Sequence, residues 1–364
     1  MRIGIDTRFY NKAFNGIGRY TYELCSNLVK FKDLELVLFV NPSSPILYDD
    51  KFLNVEKIII KEKLFSLTSL FTLAKKIDNA KLDIYHSPSF IMPFVKKTKT
   101  IMTIHDLIHL KFSEDYTFFH KLYYEKIVKK NALKASRIIT DSEYSKKDIK
   151  EWLNTDNIKV TYMGISENFS PSLGFSDTLT NLDGENFILC VANNKTHKNL
   201  KRLLYAYANI KNKYENFYKL LIISSKNSEL ENIVKENILE NDITFINNIV
   251  ENELILLYSH AMFFILPSLY EGFGLPILEA MACNCPVTCS NQTSIPEIAK
   301  DAVLYFNPYK VKNIEEALER MFFDKELTET LISKGKDQVK NFSWEKTVFE
   351  TYNIYLEIVK FGLK

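Results

Sequence analysis

Cysteine is scarce in this chain. Cys25, Cys190, Cys283, Cys285 and Cys289 make an odd, scattered set of five among 364 residues, which gives no disulfide framework. Cys283-x-Cys285-x3-Cys289 lacks the paired spacing and the partner cluster of a zinc site, so buried thiols around a short strand are expected there. Long apolar runs are missing too: none approaches the roughly 20 residues of a membrane span. No leader is read before the first strand, and the expectation is a reduced, cytoplasmic protein. Neither sign of charge is in excess. The 47 basic and 45 acidic residues leave +2, so no nucleic-acid partner is expected. No D-x-D occurs, and no bridging metal or other cofactor is expected. Internal repeats and low-complexity tracts are absent as well.

What is present is the balance of a soluble globular protein, with 46% hydrophobic and 25% charged residues. The length suits two domains. Short apolar runs (MRIGID, ELVLFV, VEKIII, DIYH, KTIMTIH, ASRIIT, IKVTYM) alternate with helical stretches. The same alternation returns in FILCVA, KLLIIS, ITFI, AMFFIL, PVT and VLYF. This is an α/β pattern that predicts parallel sheets with helices on both faces, binding ligands at the carboxyl ends of their strands. Gly164–Asn186 is polar and turn-rich and reads as a linker. The expected division is 1–170, 171–342, and a terminal amphipathic helix, 343–364, with Trp344, Val348, Tyr352, Tyr355 and Val359 on one side.

Pro267–Pro296 carries the densest signal. After a buried strand comes a loop with Glu271, Gly272, Phe273, Gly274 and Leu275, and Pro276 is placed to begin a helix. Glu279 follows Glu271 by eight positions, about one turn into that helix. A strand, a glycine loop and a helix start present backbone N–H groups and a favourable dipole to an anion. Two flanking carboxylates suit a ligand that also carries hydroxyls, as a sugar nucleotide does. The bland reading is a plain βα unit with a glycine turn.

In the first half, Asp6, His86, His105-Asp106 and Asp141-Ser142 follow directly on predicted strands. A lone His86 is most simply structural. For His105, the neighbouring Asp106 is expected to fix tautomer and orientation. Gly16 and Gly18 suggest a loop whose backbone approaches an anion. A dinucleotide fingerprint would need a third glycine and an acid ending the second strand, and both are missing.

E-x7-E within EGFGLPILEAMACNCPV, followed by SNQTSIPEI, resembles the donor site of retaining glycosyltransferases of family four. NGIGRYTYEL, IYHSPSF, IHDLIHLKF, TDSEYSKKDI and YMGI resemble the acceptor-side domain of the same enzymes, especially bacterial mannosyltransferase-like members. The resemblance implies the GT-B fold, two Rossmann-like doubly wound domains facing across a cleft, with the terminal helix returning to the first domain. It implies that Glu271 holds donor-sugar hydroxyls, Glu279 the ribose, and that His105 and the Gly16–Gly18 loop approach sugar and diphosphate.

Many members carry an Arg and a Lys five apart to grip the diphosphate. Lys198 fills the Lys position, Asn193 stands where Arg is expected, and His197 supplies the basic neighbour of a variant subgroup. As a plain surface lysine, Lys198 would oppose the dipole of the helix it precedes. The expected function is transfer of a hexose, with mannose from GDP-mannose preferred, to a glycan or lipid-linked glycan acceptor in surface polysaccharide synthesis. A UDP-sugar donor, a sugar-nucleotide epimerase and a non-catalytic binding protein stay open. Leu64, Phe65, Leu67, Leu70, Phe71 and Leu73 crowd one stretch ahead of Lys75 and Lys76, and basic and aromatic residues interleave over Tyr116–Lys134, which suggests either a peripheral contact with an anionic membrane at the inner face or a packed core with a solvated lysine side.

Overall fold

The computed structural model describes residues 1–10, 16–174, 185–247 and 249–362. Contacts divide the chain into two units, Met1–Gly164 with Ser343–Lys364, and Ile165–Phe342.

The first unit holds β1 (Arg2–Asp6), β2 (Glu35–Val40), β3 (Glu56–Ile59), β4 (Ile84–Ser87), β5 (Lys99–Thr103), β6 (Arg137–Thr140) and β7 (Ile158–Val160). They form one parallel sheet in the order β3-β2-β1-β4-β5-β6-β7. The order reverses between β1 and β4, where Ile5 stands opposite His86. The second unit holds β8 (Phe187–Val191), β9 (Lys219–Ile223), β10 (Ile243–Ile246), β11 (Phe263–Leu266), β12 (Val287–Ser290) and β13 (Leu304–Phe306), ordered β10-β9-β8-β11-β12-β13. Its reversal falls between β8 and β11.

Each strand coincides with one of the apolar runs of the sequence. Strands covered on both faces need no polar alternation, and β4, β11 and β12 are buried at every residue. Burying each Ile, Leu, Val or Phe side chain stabilises by about 1.5–3 kcal/mol, so the central strands fix both the sheet and its order.

Helices Gly16–Leu28 and Trp344–Phe361 pack together in the first unit. Ser343 caps the latter by accepting the Lys346 N–H. Trp344, Val348, Tyr352 and Tyr355 are buried as the pattern predicts, but Val359 is exposed and Ile354 and Ile358 take the inward positions. Phe31 stacks on Tyr352 with ring centroids 4.3 Å apart.

One expectation about the first unit needs correction. Gly16 and Gly18 lie in the first turn of their helix, with Gly18 buried, rather than in a glycine loop. The residues just before them, 11–15, fall outside the described residues, as does most of the predicted linker. The five cysteines are free and buried. Among the described residues no helix is long and apolar enough to cross a membrane.

Candidate active site

In the second unit the sequence-marked residues gather where the strand order reverses, at the carboxyl ends of β8 and β11. The loop after β11 ends at Gly274, which adopts φ +103° and precedes the helix Leu275–Ala282 with Pro276 in its first turn. A Cβ would be strained at that angle, so glycine is required for the chain to turn into the helix. The loop is stapled from behind. Thr293 Oγ1 accepts the Glu271 N–H at 3.0 Å, while the Ser294 hydroxyl donates to the carbonyls of Glu271 at 2.9 Å and Phe273 at 3.2 Å. Thr293 and Ser294 thus position the Glu271–Gly274 loop.

After β8 the chain makes a tight turn, Thr196–Lys198, and starts the helix Leu200–Lys213. Leu269 N–H donates to the His197 carbonyl at 2.7 Å. Asn199, at φ +57°, donates through its side-chain amide to Pro267 O at 3.0 Å and Pro308 O at 2.9 Å. These bonds bind the two loops together, and nothing in the sequence pattern singled out Asn199.

Lys198 Nζ lies 2.6 Å from Glu271 Oε1, with side chains 14% and 12% exposed. Burial pushes the Glu271 carboxyl toward protonation, but the charge and hydrogen bond of Lys198 outweigh it and hold its pKa below the ordinary range. The arrangement is a charge pair at a helix start, one member suited to phosphate oxygens and the other to hydroxyls. Glu279 is 4% exposed on the helix Leu275–Ala282 and accepts a hydrogen bond from Tyr258 at 3.1 Å. Tyr258 was missed by sequence reasoning because it is an inward residue of the helix Glu251–His260 with no motif around it. Asn193 is exposed, and its side-chain oxygen accepts the Lys195 N–H at 3.2 Å, closing a turn. Asn284 takes φ +61°, as its residue type allows.

In the first unit His105 follows β5. Its Nδ1 lies 2.5 Å from Asp141 Oδ2 and its Nε2 3.2 Å from Pro88 O. Asp141, after β6, therefore orients the ring, in place of the expected Asp106, whose carboxylate accepts the Ile108 N–H. The reason is the sheet: β5 and β6 are neighbours, so residues 36 apart in sequence meet at their ends. Both ring nitrogens face oxygen acceptors, which favours the imidazolium. Burial opposes that charge, yet Asp141, with Asp106 and the Pro88 carbonyl, raises the pKa above its ordinary value. His86 is fully buried between Tyr355 at 2.6 Å and Thr103 at 2.8 Å, and burial depresses its pKa to about 3. It is structural. Among the described residues no group of three or more His, Cys, Asp or Glu is placed to hold a metal.

Two doubly wound parallel sheets, each with sequence-marked side chains at its strand ends, are the architecture of the GT-B fold. A model described as "Glycosyltransferase Family 4" matches residues 14–169, and one described as "Glycosyl transferases group 1" matches 176–338. The chain belongs to glycosyltransferase family four. O-antigen chain mannosyltransferase B of Escherichia coli is 29% identical over 382 residues, covering 98% of this chain and 99% of its own. Sucrose-phosphate synthase from Thermosynechococcus elongatus matches with a TM-score of 0.80 at 20% identity over 98% of each chain. Anabaena HepE in complex with UDP and glucose matches at 0.76 and 16% identity, over 97% of this chain and 99% of its own. At such identities the structural likeness speaks for the fold.

Proposed function

We propose that the chain is a retaining mannosyltransferase that takes its sugar from GDP-mannose and extends a surface-polysaccharide glycan. The full-length similarity to an O-antigen chain mannosyltransferase carries this reading. Lys198 and the N–H groups of Gly272–Leu275 would take the diphosphate, Glu279 the ribose and Glu271 the hydroxyls of the sugar, with His105 also acting on the sugar. Asn193 and His197 would line the phosphate side. No side chain here is an evident covalent nucleophile, which favours a front-face transfer. The bond from C1 to the diphosphate oxygen breaks, the acceptor oxygen bonds to the same face, and its proton passes to the departing diphosphate. Lys198 stabilises the charge that develops there. A panel of GDP-mannose, UDP-glucose and UDP-N-acetylglucosamine, scored by donor hydrolysis and thermal stabilisation, tests the donor. Stabilisation and hydrolysis by UDP-sugars alone would overturn the GDP-mannose assignment.

The acceptor is proposed to be a glycan or lipid-linked glycan, met at an anionic membrane surface. Supporting this, Phe65, Leu67, Phe71, Phe118 and Phe119 are all exposed beside the exposed Lys121, Lys126 and Lys130. Each basic residue near an anionic surface contributes about 1 kcal/mol. Co-sedimentation with phosphatidylserine vesicles that falls as salt rises is expected, and no sedimentation at low salt would remove the membrane from this account.

A further inference from the structure

The first sheet has its own reversal point, between β1 and β4, and the side chains there have no part in the site above. Arg8 follows β1 and is 5% exposed. Its Nε and Nη2 donate to Asp6 at 2.9 and 2.7 Å, and Asp6 also accepts from the Tyr85 hydroxyl at 2.9 Å. One edge of the guanidinium is thereby locked, and the whole group is held in one orientation. Its remaining nitrogen, Nη1, is buried and has no hydrogen-bond partner among the described residues. The Tyr123 hydroxyl, at the end of the helix Phe118–Tyr123, is also buried without a partner among the described residues. The two groups lie within electrostatic reach of each other. Buried donors left unpaired are costly, and a native protein keeps few of them.

Around them stands a run of half-buried or exposed rings. Phe9 and Phe90 have centroids 6.4 Å apart, Phe90 and Phe65 6.4 Å, and Phe65 and Tyr123 6.1 Å. Open doubly wound sheets bind ligands at this place. Because Asp6 neutralises Arg8, the corner offers directed hydrogen bonds without net charge, which suits hydroxyls better than a phosphate. Aromatic faces beside such donors suit the C–H face of a sugar ring.

We propose that Arg8 Nη1 and the Tyr123 hydroxyl form a saccharide subsite, with Phe9 and Phe90 as its apolar floor, which receives a neutral sugar residue of the acceptor. This rests on the transferase reading for its purpose, but binding is measurable without turnover. Ligand-observed NMR would be run on the full chain with mannobiose and, separately, with inorganic phosphate, for the wild type, Arg8→Lys and Tyr123→Phe. Mannobiose should bind the wild type and bind either variant roughly tenfold more weakly. GDP affinity serves as the folding control and should match across the three proteins, and thermal unfolding should match between the wild type and Tyr123→Phe. Tyr123→Phe removes a single oxygen and decides the matter if Arg8→Lys does not fold. No binding of mannobiose to the wild type, equal binding by the variants, or displacement by phosphate would overturn the proposal. Failure of GDP-mannose as donor would instead strike the transferase reading and leave the binding result standing.

Discussion

Lys198 Nζ and Glu271 Oε1 meet at 2.6 Å across the point where the second sheet reverses its order, one on the loop after β8 and the other on the loop after β11. Each therefore neutralises the other in the absence of donor. On the proposed reading, a donor would replace this one ion pair by a phosphate contact at Lys198 and hydroxyl hydrogen bonds at Glu271.

Glu271→Gln should accordingly separate two readouts. Turnover falls by about one to two decades, since a charged hydrogen bond to the transferred sugar is worth about 1.5–3 kcal/mol. Affinity for the free nucleoside diphosphate holds or rises, because Lys198 loses its internal partner. Calorimetry with GDP beside initial rates checks this, and a parallel loss of both would mean that the two glutamates exchange roles.

Glu279→Ala should weaken nucleoside diphosphate binding by roughly one to two decades through loss of the ribose hydroxyl contacts. Tyr258→Phe leaves the carboxylate in place but frees it to turn, so a smaller loss in the same direction is expected. Unchanged GDP affinity in Glu279→Ala would remove the ribose role.

Two histidines of the first unit, His105 and His86, bring opposite pH dependence. The folded pKa of His105 is raised, so its contribution to stability is complete below about 6.5, the unfolded value, and disappears as pH rises through the folded value. His86 has a folded value of about 3. There the unfolded chain binds the extra proton, and stability falls as pH drops below about 6.5. Thermal unfolding from pH 4 to 9 should pass through a maximum near the meeting of these windows. Asp141→Asn should flatten the alkaline limb and spare the acid one. An alkaline limb that survives Asp141→Asn would refute the pairing as its cause.

Activity should survive EDTA, because no carboxylate pair in the sequence is spaced to bridge a metal to the diphosphate. A loss restored by Mg²⁺ or Mn²⁺ would show that the phosphate site works differently.

Gly164→Ala should destabilise the first unit strongly. A Cβ at that position would stand 2.2 Å from the backbone nitrogen of Trp344 and 2.5 Å from the Ser343 carbonyl carbon. Backbone atoms on both sides cannot yield as a flexible side chain would, and overpacking costs about 1–3 kcal/mol or more. Urea unfolding would show a lowered midpoint, and a wild-type midpoint would mean that the terminal segment shifts freely.

Both sheets were legible because their strands are buried on two faces and read as unbroken apolar runs. Glu271 and Lys198 could be placed because their loops carry glycine and helix-start signals. Asp141 could not be matched to His105, since their meeting depends on β5 lying beside β6, which no local pattern encodes. Ser142 hid it further: the hydroxyl caps the helix Glu143–Leu153 by accepting the Ser145 N–H at 3.1 Å, so the segment reads as an ordinary helix start. Asn199 escaped notice, and the contacts of Thr293 and Ser294 within their motif were not readable, for a related reason: each acts on backbone carbonyls or N–H groups of a distant loop. The glycines at 16 and 18 misled because glycine inside a first helical turn looks the same in sequence as glycine in a loop.

The helix Trp344–Phe361 belongs to the unit that begins at Met1, with Tyr355 reaching His86 and Lys99 donating to Ile358 O at 2.8 Å. During synthesis, then, the half of the protein that leaves the ribosome first must wait for its last helix. The interposed half, Ile165–Phe342, already has its whole chain by then. Domains fold as units, and usually in the order of their emergence. Here that order is inverted for completion: the half begun first is finished after the interposed one, and its uncovered face, including His86 and Tyr20, is the surface that needs protection until the helix Trp344–Phe361 is made.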